Sequence, residues 1–225
     1  MGQAIGQVLS FGVGVAISPV PIIAVVLMLA TPRGRANGPA FLVGWVVGLA
    51  VLGTIVLLAA SGEDASKHGT PATWVSILKI ALGVLLLLLA VKQWRGRPRG
   101  DAQPSLPTWM KTIDTFTPGK SIGVGVLLSA VNPKNLILTV GAAAAIAQTG
   151  TSAGGQAISL AVFIVIASLG VGSPVAIYLF MPDRATKILA DLRDWMAREN
   201  AVIIAVICLI IGAKLIGDAI SALTS

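Results

Sequence analysis

The sequence has very little of the chemistry that enzymes and metal proteins use. Its 225 residues include one cysteine, Cys208, and one histidine, His68. One thiol cannot form an internal disulfide or a CxxC redox pair, and a lone histidine without neighbouring ligands does not define a metal site. We therefore expect no disulfide, no metal and no cofactor.

Charge is also scarce, and negative charge most of all. Only 11% of the residues are charged, with nine Asp and Glu, whereas soluble domains carry about 25% charged residues. Hydrophobic residues make up 56%, and the mean hydropathy is +0.91. Because there is too little polar surface to cover a water-facing globule, the sequence predicts an all-α integral membrane protein.

The basic residues do not indicate nucleic acid, although the net charge is +7. Nucleic-acid binding needs a basic face with aromatic or polar readers. Here the charges lie mostly in short gaps between apolar runs, which is typical of residues that flank membrane helices. We expect membrane lipids as partners and no nucleic acid.

Six apolar runs are long enough to cross a membrane as helices, which takes about 20 residues. The first run has no basic region before it and continues past any plausible cleavage site, so it is interpreted as a span and not a signal peptide. The runs cover residues 3–30, 38–60, 74–94, 119–147, 154–181 and 200–222.

The distribution of basic residues predicts the orientation. The gaps at 31–37, 95–118 and 182–199, with their edges, carry eleven Lys and Arg, while the opposite side carries only Lys67 beside Glu63 and Asp64. The positive-inside rule places the basic gaps in the cytoplasm and both termini outside the plasma membrane. The basic residues are Arg33, Arg35, Arg95, Arg97, Arg99, Lys111, Lys120, Arg184, Lys187, Arg193 and Arg198.

Two of the cytoplasmic gaps have helical amphipathic patterns. The linker 95–118 and the segment 185–199 each place apolar side chains and tryptophan on one face, which predicts helices that lie at the membrane interface. The apolar positions are Trp109, Ile113 and Phe116 in the first, and Ile188, Leu192, Trp195 and Met196 in the second.

The chain contains two similar halves. Gly12–Val20 matches Gly123–Val131 at six of nine positions with an offset of 111, and later matches have offsets of 117 and 122. Each half has three spans, an odd number, so the halves must insert in opposite directions. We therefore predict two inverted three-helix repeats, 1–94 and 119–225, which is an arrangement typical of secondary transporters.

Prolines predict that the first and fourth transmembrane helices are broken near the middle of the membrane. A proline lacks an N–H donor and clashes with the preceding turn. Irregular backbone at this depth is tolerated only inside protein or beside a cavity, and the new helix N-termini attract anions. The predicted substrate-binding residues flank the breaks: Ser18, Pro19, Pro21, Ser129, Asn132, Pro133, Lys134 and Asn135.

Other polar residues in the spans have functional and structural interpretations that the sequence leaves open. Ser173, Lys92, Lys214 and Asp218 are candidates for a cavity or for ion coupling, or they simply pair and snorkel. Lys79 is expected to snorkel outward. The GxxxG pair in Gly44–Gly48 is expected to pack helices.

Four segments resemble the GAP family, the peptidoglycolipid- or sulfolipid-addressing proteins of the lysine exporter superfamily. They are Ser18–Ile22, Ala30–Arg33, Ser129–Asn135 and Ile211–Gly217, and the resemblance covers essentially the whole chain. It implies a six-span plasma-membrane transporter for glycolipids or related envelope compounds. Relatives in the superfamily export amino acids, with proton coupling implied, and its redox branch needs paired membrane cysteines that this chain lacks.

The predicted function is a secondary transporter that exports or flips a small polar or lipid-linked substrate by alternating access. An exporter of amino acids or other small cationic or zwitterionic metabolites is an alternative, and a non-transporting scaffold for envelope-lipid assembly is another. An enzyme is not expected, because no acid–base pair lies near the middle of the membrane. The sequence leaves a homodimer open.

Overall fold

The computed structural model describes residues 2–60, 66–67, 70–71, 73–97 and 108–224. A short antiparallel hairpin of β1 (Ser66–Lys67) and β2 (Thr70–Pro71) follows the third helix, and His68, Glu63 and Asp64 lie outside the described residues. The helices are α1 (Gly2–Ala16), α2 (Pro19–Leu29), α3 (Gly34–Ala60), α4 (Thr73–Arg95), a 3-10 helix (Thr108–Thr115), α5 (Pro118–Ala130), α6 (Pro133–Gln148), α7 (Ala153–Phe180) and α8 (Pro182–Thr224).

Several of these helices are long and apolar enough to cross a membrane. In the described residues α3, α4, α7 and α8 each pass this test alone. Helices α1 and α2 pass it as a pair bent by 53°, and α5 and α6 as a pair bent by 64°, so the chain has four to six candidate spans. The prediction of a multi-pass all-helical membrane protein is confirmed, and the first and fourth predicted spans are broken.

Prolines begin the second helix at both breaks. Pro19 and Pro133 occupy the first helical position, where a missing N–H costs nothing because that group has no intrahelical partner. The preceding helices end at Ala16 and Ala130, which are 114 residues apart. Pro19 and Pro133, where the following helices begin, are also 114 residues apart. This spacing falls between the sequence offsets of 111 and 117.

The helix contacts come in pairs that correspond when the two halves are exchanged. Helix α3 packs on α5, and α7 packs on α1; α3 contacts α6, and α7 contacts α2. Helices α4 and α8, which occupy the same place in each half, pack on each other. The structural core is thus made mainly of contacts between the halves.

Glycines allow the closest of these crossings. A Cβ atom on Gly44 would collide with the Ile122 carbonyl of α5, and one on Gly48 would collide with the Ser129 hydroxyl. In the corresponding crossing of α7 and α1, a Cβ on Gly170 would collide with the Ala16 carbonyl at the end of α1. The GxxxG pair therefore packs α3 on α5, as its sequence predicts.

Helix α8 is continuous over 43 residues. The amphipathic segment 185–199 and the apolar run 200–222 are parts of this one helix, because no glycine or proline occurs between Asp183 and Ile211 to end it. At about 1.5 Å per residue it is about 65 Å long, twice the thickness of the hydrocarbon core. It is therefore longer than one crossing of the hydrocarbon core requires.

The described part of the linker 95–118 packs against the bundle through its 3-10 helix. Met110, Ile113 and Phe116 are buried, and the 3-10 helix contacts α2. The buried Asn37 Nδ2 donates to the Phe116 carbonyl at 3.0 Å, which ties the start of α3 to the start of α5. Residues 98–107 lie outside the described ranges.

Candidate substrate site at the two helix breaks

The two helix breaks contact each other through Ser18 and Asn135, both of which are buried. Ser18 Oγ lies 2.8 Å from Asn135 Oδ1 and 2.7 Å from the Val15 carbonyl, and it donates its one proton to one acceptor at a time. Asn135 Nδ2 donates to the Leu128 carbonyl of α5 at 3.0 Å, which fixes the orientation of the amide. Asn135 therefore joins the start of α6 to both breaks.

Lys134 reaches across from α6 to the end of α1. Its side chain is 4% exposed, and its Nζ donates to the Gly14 carbonyl at 2.6 Å and to the Ile17 carbonyl at 3.2 Å. The last carbonyls of a helix carry partial negative charge and have no intrahelical partner. The Lys134 ammonium therefore caps the C-terminal end of α1.

The other carbonyls at the end of α1 also have donors. The Val13 carbonyl accepts from the Ile17 amide at 3.0 Å, and the Ala16 carbonyl accepts from the Ser18 amide at 3.0 Å. The Val15 carbonyl shares the single Ser18 hydroxyl proton with Asn135 Oδ1. With the two bonds of Lys134, the carbonyls of residues 13, 14, 16 and 17 each have a donor, which is what lets an open helix end persist in an apolar core.

The helix N-termini contribute less than the sequence predicts. Pro19, Pro21 and Pro133 have no N–H, and the Lys134 amide is already bonded to Asn132 Oδ1 at 3.2 Å. The first turns of α2 and α6 therefore offer fewer free N–H groups to an anion than an ordinary helix N-terminus does, and the amides of Val20 and Asn135 are the ones that remain. The positive group at the breaks is the Lys134 ammonium.

The remaining predicted binding residues have different surroundings. Pro19 and Pro21 are buried in the first turn of α2, while Pro133 is exposed and Asn132 is half-buried. Ser129 lies outside the cluster that Lys134 forms, because its hydroxyl donates to the Val126 carbonyl of its own helix at 3.1 Å and packs against α3.

An apolar groove leads to the end of α1. It lies between α1 and α8, has a volume of about 540 Å³, and is lined by Gly14 and Ile17, whose carbonyls hold Lys134. Val13 and Ile210 in its walls are 48% and 63% exposed, so the groove opens on the apolar outer surface of the bundle. A second groove of about 370 Å³ contains Ile17 and the predicted Ser173.

A second charged cluster joins α4 and α8. Lys214 Nζ lies 2.5 Å from Asp218 Oδ2, one turn further along α8. Lys79 does not snorkel outward as predicted, because its side chain is 4% exposed on α4, the helix that packs against α8. The side chains of Lys214 and Asp218 are 33% and 40% exposed, so this ion pair lies at the surface of the bundle. Lys92 is exposed on the last turn of α4 and belongs to neither cluster.

Three polar groups at or near the breaks were not predicted from the sequence: the Thr139 hydroxyl and the carbonyls of Gly14 and Ile17. Thr139 is fully buried on α6, one turn after Asn135, and its hydroxyl has no partner among the described residues. Thr139 could have been predicted, because it is a lone threonine in the apolar run 136–147. The carbonyls of Gly14 and Ile17 could not, because every residue has a backbone carbonyl and the sequence does not show which ones accept a hydrogen bond. In the described ranges no three His, Cys, Asp or Glu side chains cluster to hold a metal ion.

The contact between Ser18 and Asn135 should be measurable as a coupling energy. A double-mutant cycle with Ser18→Ala and Asn135→Ala is expected to give about 1 kcal/mol of coupling in the free energy of unfolding, because each change removes the same hydrogen bond. The same cycle with Ser173→Ala in place of Ser18→Ala is the control, since the Ser173 hydroxyl bonds the Gly170 carbonyl of its own helix. Equal coupling in both cycles would contradict the contact.

These features define a class: a multi-pass helical membrane protein whose two broken helices meet at a buried lysine. The family described as Sap, sulfolipid-1-addressing protein, matches residues 8–221, and the chain belongs to this family. The resemblance to sulfolipid-addressing proteins that the sequence motifs indicate is confirmed. No curated protein and no solved structure matches the chain.

Proposed function

We propose that this chain is a secondary transporter that moves an envelope lipid with an anionic head group across the plasma membrane. The observation that carries the proposal is the position of Lys134, a buried cation at the contact of two helix breaks and next to a groove that opens on the apolar outer surface of the bundle. An ionisable residue buried in a membrane protein is costly and is a functional candidate by default. The family's description, which names a sulfolipid, supports the lipid class.

The site suits a substrate with two chemically different parts. A sulfate or similar anionic group would bind the Lys134 ammonium, since hydrogen bonds between two charged groups are stronger than those to a neutral carbonyl. An acyl chain would lie in the apolar groove between α1 and α8. A small amino acid would have no use for the groove, so the lipid is favoured over the amino-acid alternative.

The contacts of Lys134 suggest how transport proceeds. In this conformation the ammonium joins α6 to the end of α1, and the bond from Ser18 to Asn135 holds the two breaks together. A bound head group would replace the carbonyls of Gly14 and Ile17 as acceptor. The two halves could then move apart on one side of the membrane, and the bonds would form again when the head group leaves.

The arrangement of the helices supports two inverted repeats and six spans. The main contacts correspond when the halves are exchanged, and the breaks lie 114 residues apart. Bends of 53° and 64° leave the second helix of each pair running onward and not back, which favours one crossing for each pair. The basic loops would then face the cytoplasm and both termini the outside.

Topology can be tested with single cysteines in a Cys208→Ser background. Gly154→Cys lies beside an outer loop and Arg35→Cys beside a cytoplasmic one. We expect a membrane-impermeant maleimide to label Gly154→Cys on intact cells and Arg35→Cys only after permeabilisation. The opposite pattern would contradict the orientation.

Transport can be tested directly in liposomes. The reconstituted protein should move a labelled sulfated glycolipid between leaflets, and should move the same lipid without its sulfate at least tenfold more slowly. Labelled lysine that is loaded into the liposomes should stay inside them. Export of lysine without lipid movement would favour the amino-acid exporter, and the absence of any transport would favour the scaffold. Repeating the assay with and without a pH gradient tests proton coupling.

A further inference from the structure

A third groove, which is apolar, lies between α4 and α8 and is separate from the two helix breaks. It has a volume of about 440 Å³, its floor includes Ala205, and its walls include Val91 and Leu209. Val91 and Leu209 are 48% and 55% exposed, so the groove opens on the surface that meets the membrane. It ends at Trp94 and Arg95, on the last turn of α4.

The end of this groove carries two guanidinium groups. Arg95 lines it, and the Arg97 Cζ lies 3.9 Å from the centre of the Trp94 ring. Arg97 Nη1 also donates to the Trp94 carbonyl at 2.7 Å, which folds this side chain back over the helix end. Among the residues that the structure describes, no carboxylate pairs with either arginine.

We propose that this groove binds an anionic phospholipid from the leaflet that contacts the basic loops. One acyl chain lies along the apolar floor, and the phosphate binds Arg95 and Arg97. Tryptophan is typical at head-group depth, and basic pockets between transmembrane helices bind anionic head groups. Lipid is the occupant that the site favours, because an apolar groove open to the membrane fills with hydrocarbon and its mouth is positively charged.

The bound lipid would stabilise the contact between α4 and α8, which joins the two halves of the chain. Near the middle of this contact Gly83 and Gly212 pack backbone to backbone. Binding to the folded state alone raises stability by an amount that grows with the logarithm of the ligand concentration divided by its Kd. The proposal does not depend on the transport function, since its ligand stays in one leaflet.

The test measures lipid binding to the purified full chain in detergent. Phosphatidylglycerol and phosphatidylcholine are titrated separately, with bound lipid counted by native mass spectrometry and the melting temperature followed in parallel. We expect tighter binding of phosphatidylglycerol and a rise in melting temperature with that lipid. Arg95→Gln with Arg97→Gln should weaken its binding about 25-fold, since each basic contact contributes about fivefold.

Two further variants separate charge from shape. Arg184→Gln with Arg198→Gln removes two exposed charges outside the groove and should change binding less than twofold. Val91→Trp fills the groove, leaves both arginines in place, and should remove binding of both lipids while the unliganded melting temperature stays unchanged.

Three results would overturn the proposal. The first is equal affinity for the two phospholipids, and the second is full binding by either the Arg95 and Arg97 double variant or Val91→Trp. The third is tighter binding of a sulfated glycolipid that the same variants abolish, which would assign the groove to the transported lipid.

Discussion

Replacing Lys134 with methionine is expected to lower the free energy of unfolding by about 3 kcal/mol and to abolish transport. Methionine keeps most of the side-chain volume but donates no hydrogen bond. The carbonyls of Gly14 and Ile17 would then be left without the donor they have now, and each such buried group costs about 1–3 kcal/mol. Unfolding of the purified protein in mixed detergent micelles measures the loss.

Lys92→Met is the matched control for this variant. Lys92 is exposed on the last turn of α4, so its replacement should change the unfolding free energy by less than about 0.5 kcal/mol. Lys134→Arg keeps the charge and tests whether a cation alone is enough for transport. If Lys134→Met were as stable as the wild type, the lysine would not be the cap of α1.

Replacing Gly170 with valine is expected to lower the free energy of unfolding by about 3 kcal/mol and to separate α7 from α1. Even a Cβ atom at this position collides with the Ala16 carbonyl, which is backbone and cannot rotate away. Overpacking of this kind typically costs about 1–3 kcal/mol, and valine adds two more carbons. Because α1 ends at the site, the helix break should shift as well, and transport should fall with stability.

Gly123→Ala is the control for the glycine experiment. No atom lies within 4 Å of a Cβ placed on Gly123, so alanine should be neutral or stabilising by about 0.5–1 kcal/mol, as expected for glycine inside a helix. Gly44→Val, which collides with the Ile122 carbonyl in the corresponding crossing of α3 and α5, should lose about as much stability as Gly170→Val. A neutral Gly170→Val would contradict the close crossing.

The sequence was sufficient to predict the breaks but not their partners. Pro19 and Pro133 predict where α2 and α6 begin, since proline restricts the local backbone whatever surrounds it. The acceptors of Lys134 are carbonyls at the end of another helix, and which helix end lies nearby is decided by tertiary packing. The breaks have fewer free N–H groups than the prediction assumed, because the prolines themselves remove donors.

The structure differs from the sequence prediction in two other places, at Lys79 and along α8. Lys79 was expected to snorkel because the helix that buries it, α8, lies more than 100 residues further along the sequence. The sequence predicted two helices, 185–199 and 200–222, in place of the single helix α8, because hydropathy changes at residue 200. Hydropathy reports the surroundings of a helix, whereas its ends are set by residues that stop it, and this segment has none.

In the proposed transport mechanism, the contact between the two helix breaks opens and closes. A reversible cross-link across this contact tests the mechanism most directly. Ser18→Cys and Asn135→Cys in a Cys208→Ser background place two thiols where a bond of 2.8 Å now joins the breaks. A short, reducible thiol cross-linker should stop movement of the sulfated glycolipid in liposomes, and reduction should restore it. Full transport by protein that mass spectrometry shows to be cross-linked would contradict the account.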